Sequence, residues 1–183
     1  PIEPKTALNH LVRQKKLQPA DEVLQSEQFL WLVQKARTHG FEQYEISNFG
    51  LAGFHSRHNS SYWKFQPYLG IGPSAHSFDG KVRRWNVRNN TLYTNQVGKN
   101  DKWFETEHLS ANERRNEQIL LGLRTIWGLD LSTLATDWTP KESAQITEFA
   151  RLNWLTISNE KIVLTKQGKL HADGIAAALF RVD

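Results

Sequence analysis

Apolar residues recur at helical intervals from Val23 through Leu30 and Val33 to Ala36, which predicts a helix over residues 21–39. Asp21 can cap its first amides, Lys35, Arg37 and His39 suit its last turn, and Gly40 ends it. The period then shortens. Tyr44 and Ile46 alternate with Glu45 and Ser47, predicting a strand with one apolar face and one face carrying a carboxylate and a hydroxyl. Helix followed at once by strand is the rhythm of a barrel or an open parallel sheet. A second strand is expected over residues 68–72. There Gly70 and Gly72 share a side and leave bare backbone that a ligand or a neighbouring chain can approach, although a bulge or a tight packing contact reads equally well. Asp79-Gly80, between Ser77-Phe78 and Val82-Arg83, has the chemistry of a two-residue hairpin turn. On the returning strand Arg83 and Trp85 face one way, Arg84 and Asn86 the other.

The pattern changes again between residues 100 and 110, so that residues 1–105 and 106–183 read as two domains. Ser110-Ala111-Asn112-Glu113 is a capping box opening a helix with Ile119, Leu120 and Leu123 on its apolar face, and Gly128 closes that stretch. Thr139-Pro140-Lys141-Glu142 repeats the start signal ahead of Ile146, Phe149 and Ala150. Residues 155–157 and 162–164 alternate around a polar turn and predict a hairpin, after which a last helix is expected from Lys166 to Phe180. Helices, hairpin, helix in this order suggest a small winged-helix-like domain.

The densest concentration of chemistry lies in residues 55–63, where His55, Arg57, His58, Tyr62 and Trp63 share one polar, turn-like connection. Imidazole, guanidinium and aromatic surface together can ligate a metal, grip carboxylates and stack on a flat ring, which is what a tetrapyrrole asks of a protein. An ordinary surface loop whose aromatics fold back onto the body has the same composition. With 183 residues, 39% of them hydrophobic and 23% charged, the chain can bury one ordinary core or two small ones. It has no apolar run long enough to span a bilayer, and its first residues lack the basic-then-apolar layout of a secretory signal. A net charge of +4 permits nucleic-acid binding and equally suits a porphyrin with its propionates. The helix after Pro140 argues against the former, since Lys141, Gln145, Glu148 and Arg151 are mixed in sign and the wing offers only Lys161 beside Glu160. A docking lid or a protein-binding surface suits it better.

Several segments also resemble one family in order and spacing: residues 44–49 (Tyr44 to Phe49), Arg57-His58-Asn59 with Tyr62-Trp63, and residues 68–77, which run from Tyr68 through Gly70-Ile71-Gly72 to Ser77. Further matches are Arg84-Trp85-Asn86, Asn116-Glu117, residues 122–125 and, near the end, Gly168-Lys169-Leu170 and Ala172-Asp173-Gly174. The family is that of the radical S-adenosylmethionine, oxygen-independent coproporphyrinogen III oxidases and their HemW-type heme-chaperone relatives.

The resemblance implies an α/β plus α+β fold: the carboxy-terminal part of a partial (β/α) radical-SAM barrel with a hairpin extension, then a HemN C-terminal-type, winged-helix-like domain. Function in such barrels collects at the carboxy-terminal ends of the strands, from which the loop over residues 48–63 would leave. Family members are similar in opening with a Cys-x-x-x-Cys-x-x-Cys loop that holds a [4Fe–4S] cluster for S-adenosylmethionine. This chain has no cysteine, so it reads as the carboxy-terminal half of a longer protein and is expected to catalyse nothing alone. In the chaperone branch, whose signature His58-Asn59-x-x-Tyr62-Trp63 resembles, heme is bound and passed to acceptor proteins. There His58 is implied as the iron ligand, with Asn59 in the same heme-binding set, Tyr62 and Trp63 positioning or stacking on the macrocycle, Arg57 clamping a propionate, and His55 a second ligand or a bystander. The alternative is the oxidase, in which a 5′-deoxyadenosyl radical starts the oxidative decarboxylation of propionates. In either branch Gly70, Ile71 and Gly72 are implied to line the S-adenosylmethionine pocket, His76 either faces the same cavity or is structural, and the compartment is the cytoplasm.

Overall fold

The computed structural model describes residues 3–19, 21–99, 103–134 and 138–182. The chain forms two compact units, Pro1–His39 and Gly40–Asp183. The first holds α1 (Ala7–Arg13), capped by Thr6, and α2 (Glu22–Thr38), whose first turn is capped by Asp21 through the Leu24 amide at 2.9 Å. Helix and cap follow the sequence, but no residue of α1 or α2 is buried, and Val23 and Trp31 are 70% and 62% exposed.

The second unit opens with a hairpin of β1 (Phe41–Glu45) and β2 (Asn48–Leu51). The reversal follows from one side chain. The Glu45 carboxylate accepts the Ser47 amide at 2.9 Å and the Asn48 side chain at 2.6 Å, closing a tight turn where a long loop was expected. Glu45 is therefore as buried as Tyr44, and the alternation of an apolar and a wet face fails here. Residues 55–63 also differ from expectation, because seven of them form α3 (Arg57–Trp63), capped by Ser56. The strand expected over residues 68–72 is absent. Tyr68 makes an isolated bridge to Phe78, and the next residues bend away because the Gly70 amide is held by the Ser77 hydroxyl at 3.0 Å.

A three-stranded antiparallel sheet follows, β3 (His76–Phe78), β4 (Val82–Asn86) and β5 (Phe104–His108), with α4 (Asn90–Gln96) between its last two strands. A hairpin forms around Asp79-Gly80, but without the two-residue turn expected. Phe78 pairs with Arg83, which makes the connection longer than two residues, and the Asp79 carboxylate accepts the Lys81 and Val82 amides. The strand pairs among the described residues are antiparallel, so the parallel pairing implied by the helix-then-strand rhythm is not seen within this chain.

The main core lies in the last third. Helices α5 (Ala111–Leu123), α6 (Pro140–Arg151) and α7 (Ala172–Ala178) pack on a sheet of order β6 (Leu129–Asp130), β8 (Lys161–Leu164), β7 (Leu155–Ser158). Ile119, Leu123, Leu155, Ile162 and Ile175 are its centre, with Leu129 from β6 beside them. Both predicted capping boxes form, at Ser110 and Thr139. The last helix is shorter than predicted. A 3-10 turn at Gly168–His171 precedes α7, because the Thr165 hydroxyl takes the Gly168 amide and Gly168 lies so close to Trp154 that a Cβ would fall 1.7 Å from its carbonyl oxygen. One buried carboxylate pins this core. Glu142 is bound by Arg115 at 3.1 Å, by Arg181 at 2.8 Å and by the Thr139 amide at 2.7 Å. Burial pushes its pKa up, but the hydrogen bonds from Arg181 and Thr139 and the charge of Arg115 outweigh that and carry it down to about 2.

Candidate functional site

Helix α3 decides the geometry of the site, because its spacing sorts the candidate residues onto two stripes. His58 and Tyr62 lie four residues apart and so share a stripe, as do Asn59 and Trp63. The Asn59/Trp63 stripe faces the protein. The Asn59 amide reaches Asn48 at 3.5 Å, Trp63 lies 5.6 Å from the Arg124 guanidinium, and Ser60 beside them is buried. Both contacts lead to Glu45, which holds Asn48 on one side and Arg124, at 3.0 Å, on the other.

On the other stripe His58 faces outward, whereas Tyr62 is half-buried. His58 is exposed, and its Nε2 lies 3.2 Å from the Tyr62 hydroxyl with the two rings at 85° and centroids 4.9 Å apart. The Tyr62 ring meets Tyr68 edge-on at 4.5 Å. Behind the pair is a cleft of about 200 Å³ lined by Tyr62, Phe65, Tyr68, Phe78 and Leu121, closed by the ion pair of Arg83 with Glu117. Burial raises the pKa of Tyr68 in this cleft, against the opposing charge of Arg83. The chain leaving Tyr68 then presents Leu69 and Ile71 at 75% and 84% exposure. The Arg57 side chain, also exposed, makes no hydrogen bond or ion pair among the described residues.

The other candidates lie apart from this pair. His55 stacks on Tyr44 at 4.5 Å and holds Glu42 at 3.2 Å, so its ring belongs to the β1 side of the site. Gly70 has no room for a side chain, since a Cβ would sit 2.1 Å from the His76 carbonyl oxygen; Gly72, at φ +103°, faces open space and donates its amide to the Tyr93 hydroxyl at 3.2 Å. His76 is exposed beside Trp85, their ring centroids 6.2 Å apart.

The Glu45 node is the part that pattern reasoning missed. Arg124 bridges Glu45 to Asp173 at 2.9 Å, and the Lys169 ammonium lies 3.0 Å from the Gln43 side chain, its pKa lowered by burial. Arg124, Lys169 and Asp173 all sit in segments that carry the family resemblance, and they meet beside a single strand end. The signal was present as scattered charged residues in otherwise apolar surroundings, but spacing cannot show that they converge.

The donor set fits a heme: an exposed imidazole, flat aromatic surface beside it and an unengaged guanidinium one residue away. It does not fit an iron–sulfur cluster, since the chain has no cysteine.

Residues 109–171 match the HemN C-terminal domain family. The chain is 29% identical over 182 residues to the heme chaperone HemW of Bacillus subtilis (strain 168), covering 97% of this chain and 48% of that protein. It is 30% identical over 179 residues to the heme chaperone HemW of Mycobacterium tuberculosis (strain ATCC 25618 / H37Rv), covering 97% and 45%. The fold is similar to that of coproporphyrinogen III oxidase (HemN) from Escherichia coli, a radical SAM enzyme, with a TM-score of 0.60 at 16% identity over 82% of this chain and 39% of that one. The chain thus spans a little under half the length of these curated relatives. The resemblance read from the sequence is borne out: along nearly its whole length the chain is similar to HemW heme chaperones, on a mixed α/β fold shared with HemN.

Proposed function

We propose that this chain is the carboxy-terminal half of a HemW-type heme chaperone, binding heme at the His58 stripe of α3 and handing it to an acceptor protein. The observation that carries this reading is the exposed His58 imidazole on a helix whose adjacent stripe, Asn59 and Trp63, is tied to the Glu45–Arg124 node. Such a helix can present a ligand without being remodelled when heme leaves.

In this reading His58 would hold the heme iron, Arg57 would meet a propionate, and Leu69 and Ile71 would offer apolar surface to the macrocycle. Asn59 and Trp63 position α3, and His55 holds Glu42 and the β1 edge. Gly70, Ile71 and Gly72 would border the S-adenosylmethionine pocket of the longer protein, supported by the exposed Ile71 and the open side of Gly72. S-adenosylmethionine and a [4Fe–4S] cluster would be held by residues outside this chain. We also read residues 106–183 as a winged-helix-like domain after a barrel segment over 1–105, supported by the order helix, short strand, helix, hairpin, helix. No described helix is long and apolar enough to cross a membrane, and the cytoplasm is the compartment this reading implies. The fold shared with HemN favours the oxidase as second reading.

Hemin titration followed by visible absorption tests the proposal. A saturable Soret shift is expected for the chain and its loss in His58→Ala, with coproporphyrinogen competing poorly. Hemin binding unchanged by His58→Ala would remove the assignment, and strong competition by coproporphyrinogen would favour the oxidase.

A further inference from the structure

The reading of His58 as iron ligand leaves Tyr62 to be explained. Resting on that reading, we propose that the Tyr62 hydroxyl is a latch that competes with iron for His58, so that Tyr62 weakens heme capture and speeds release. The two residues are one helical turn apart, and the hydroxyl oxygen lies 3.2 Å from Nε2. Nε2 is the ring nitrogen farthest from the backbone, the one an approaching planar macrocycle can reach without striking α3. In the tautomer that carries its proton on Nδ1, the Tyr62 hydroxyl donates to the Nε2 lone pair, and iron, which needs the same lone pair, cannot take it while that hydrogen bond holds.

Of the two partners, the tyrosine is the fixed one. Its ring is packed edge-on against Tyr68 at 4.5 Å and lines the cleft with Phe65 and Phe78. The imidazole is exposed, and Tyr62 is the one ring it meets among the described residues. Heme capture is therefore an exchange: the hydrogen bond to Tyr62 breaks, the hydroxyl turns to water with its proton, and the iron–nitrogen bond forms. Release runs the exchange backwards, with the hydroxyl ready to recapture the ring. His55 offers no bypass, because its Nε2 is held by Glu42 and its face by Tyr44. A carrier gains from such a competitor, since it must surrender its cargo.

The test is hemin titration of the 183-residue chain, Tyr62→Phe and His58→Ala, together with the rate of hemin loss to apomyoglobin. Phenylalanine keeps the ring against Tyr68 and removes only the hydroxyl; thermal melting checks that the fold is kept. Tyr62→Phe is expected to bind hemin about two- to tenfold more tightly, the worth of one hydrogen bond, and to lose it more slowly, with the Soret position unchanged. Weaker or unchanged binding in Tyr62→Phe, with binding still abolished in His58→Ala, would overturn the latch while leaving the heme reading intact. So would a phenolate-ligated iron in the electron paramagnetic resonance spectrum of the parent chain. Binding that survives His58→Ala would overturn the heme reading and the latch with it.

Discussion

At the scale of single residues, the two histidines of residues 55–58, which residue type alone does not separate, are opposite in the structure. His55 spends both its ring face and its Nε2 on neighbours, whereas the exposed His58 has one partner that can be exchanged. The same scale explains why certain glycines carry no side chain. At Gly168 a methyl group would meet the Trp154 carbonyl. Gly168→Ala is expected to cost about 1–3 kcal/mol, the usual range for overpacking, read as a lower urea midpoint with unchanged slope. A wild-type midpoint would show that the 3-10 turn can shift aside.

At the scale of elements, α3 has only seven residues, too few to be stable as an isolated helix, so its orientation is set by what it packs on. Trp63 and Asn59 supply that anchorage through Arg124 and Glu45, and Arg124 extends it to α7 through Asp173. Trp63→Ala should therefore act in two ways. We expect a stability loss of about 2 kcal/mol, below the cost at a fully buried site because Trp63 is half-buried, and weaker hemin binding with the same axial ligand. Weaker binding with a changed ligand signature would instead place Trp63 on the macrocycle. The helices and hairpins of the last third were legible because caps, turns and periodicity are local. The strand expected over residues 68–72 was not, because its glycines serve a close approach to His76 and a turn, and a glycine pair looks the same in either setting.

At the scale of the whole molecule, the two units differ in what holds them. The second has a core and a buried ion cluster; the first has two helices with no buried residue. Amides of α2 are expected to exchange with solvent far faster than those of α5, measured by hydrogen–deuterium exchange; equal protection would show that α2 is stabilised by something beyond its own unit. The Glu142 cluster sets an acid limit. Its carboxylate is depressed from 4.5 to about 2 in the fold, so its stabilisation is complete above the unfolded value and is lost as pH falls through the folded one. Unfolding free energy should drop between about pH 4.5 and 2, and Glu142→Gln should flatten that dependence. Glu142→Ala, which leaves Arg115 buried without its counter-charge, should cost about 3–5 kcal/mol at neutral pH.

The sequence by itself determined what depends on neighbours along the chain: the capped helices, the hairpins at Asp79-Gly80 and residues 158–161, the family resemblance, and the candidates gathered in residues 55–63. Tertiary structure decided which of those candidates meet. It turned a presumed loop into a helix, left His58 exposed against a half-buried Tyr62, set Trp63 beside Arg124, and sent His55 to Tyr44. It also drew Glu45, Arg124, Lys169 and Asp173 from distant parts of the chain to one strand end. The physical reason is the range of the forces involved. Capping and turn chemistry act within about four residues, whereas burial of a charge is settled only by partners that the finished fold brings within hydrogen-bonding distance.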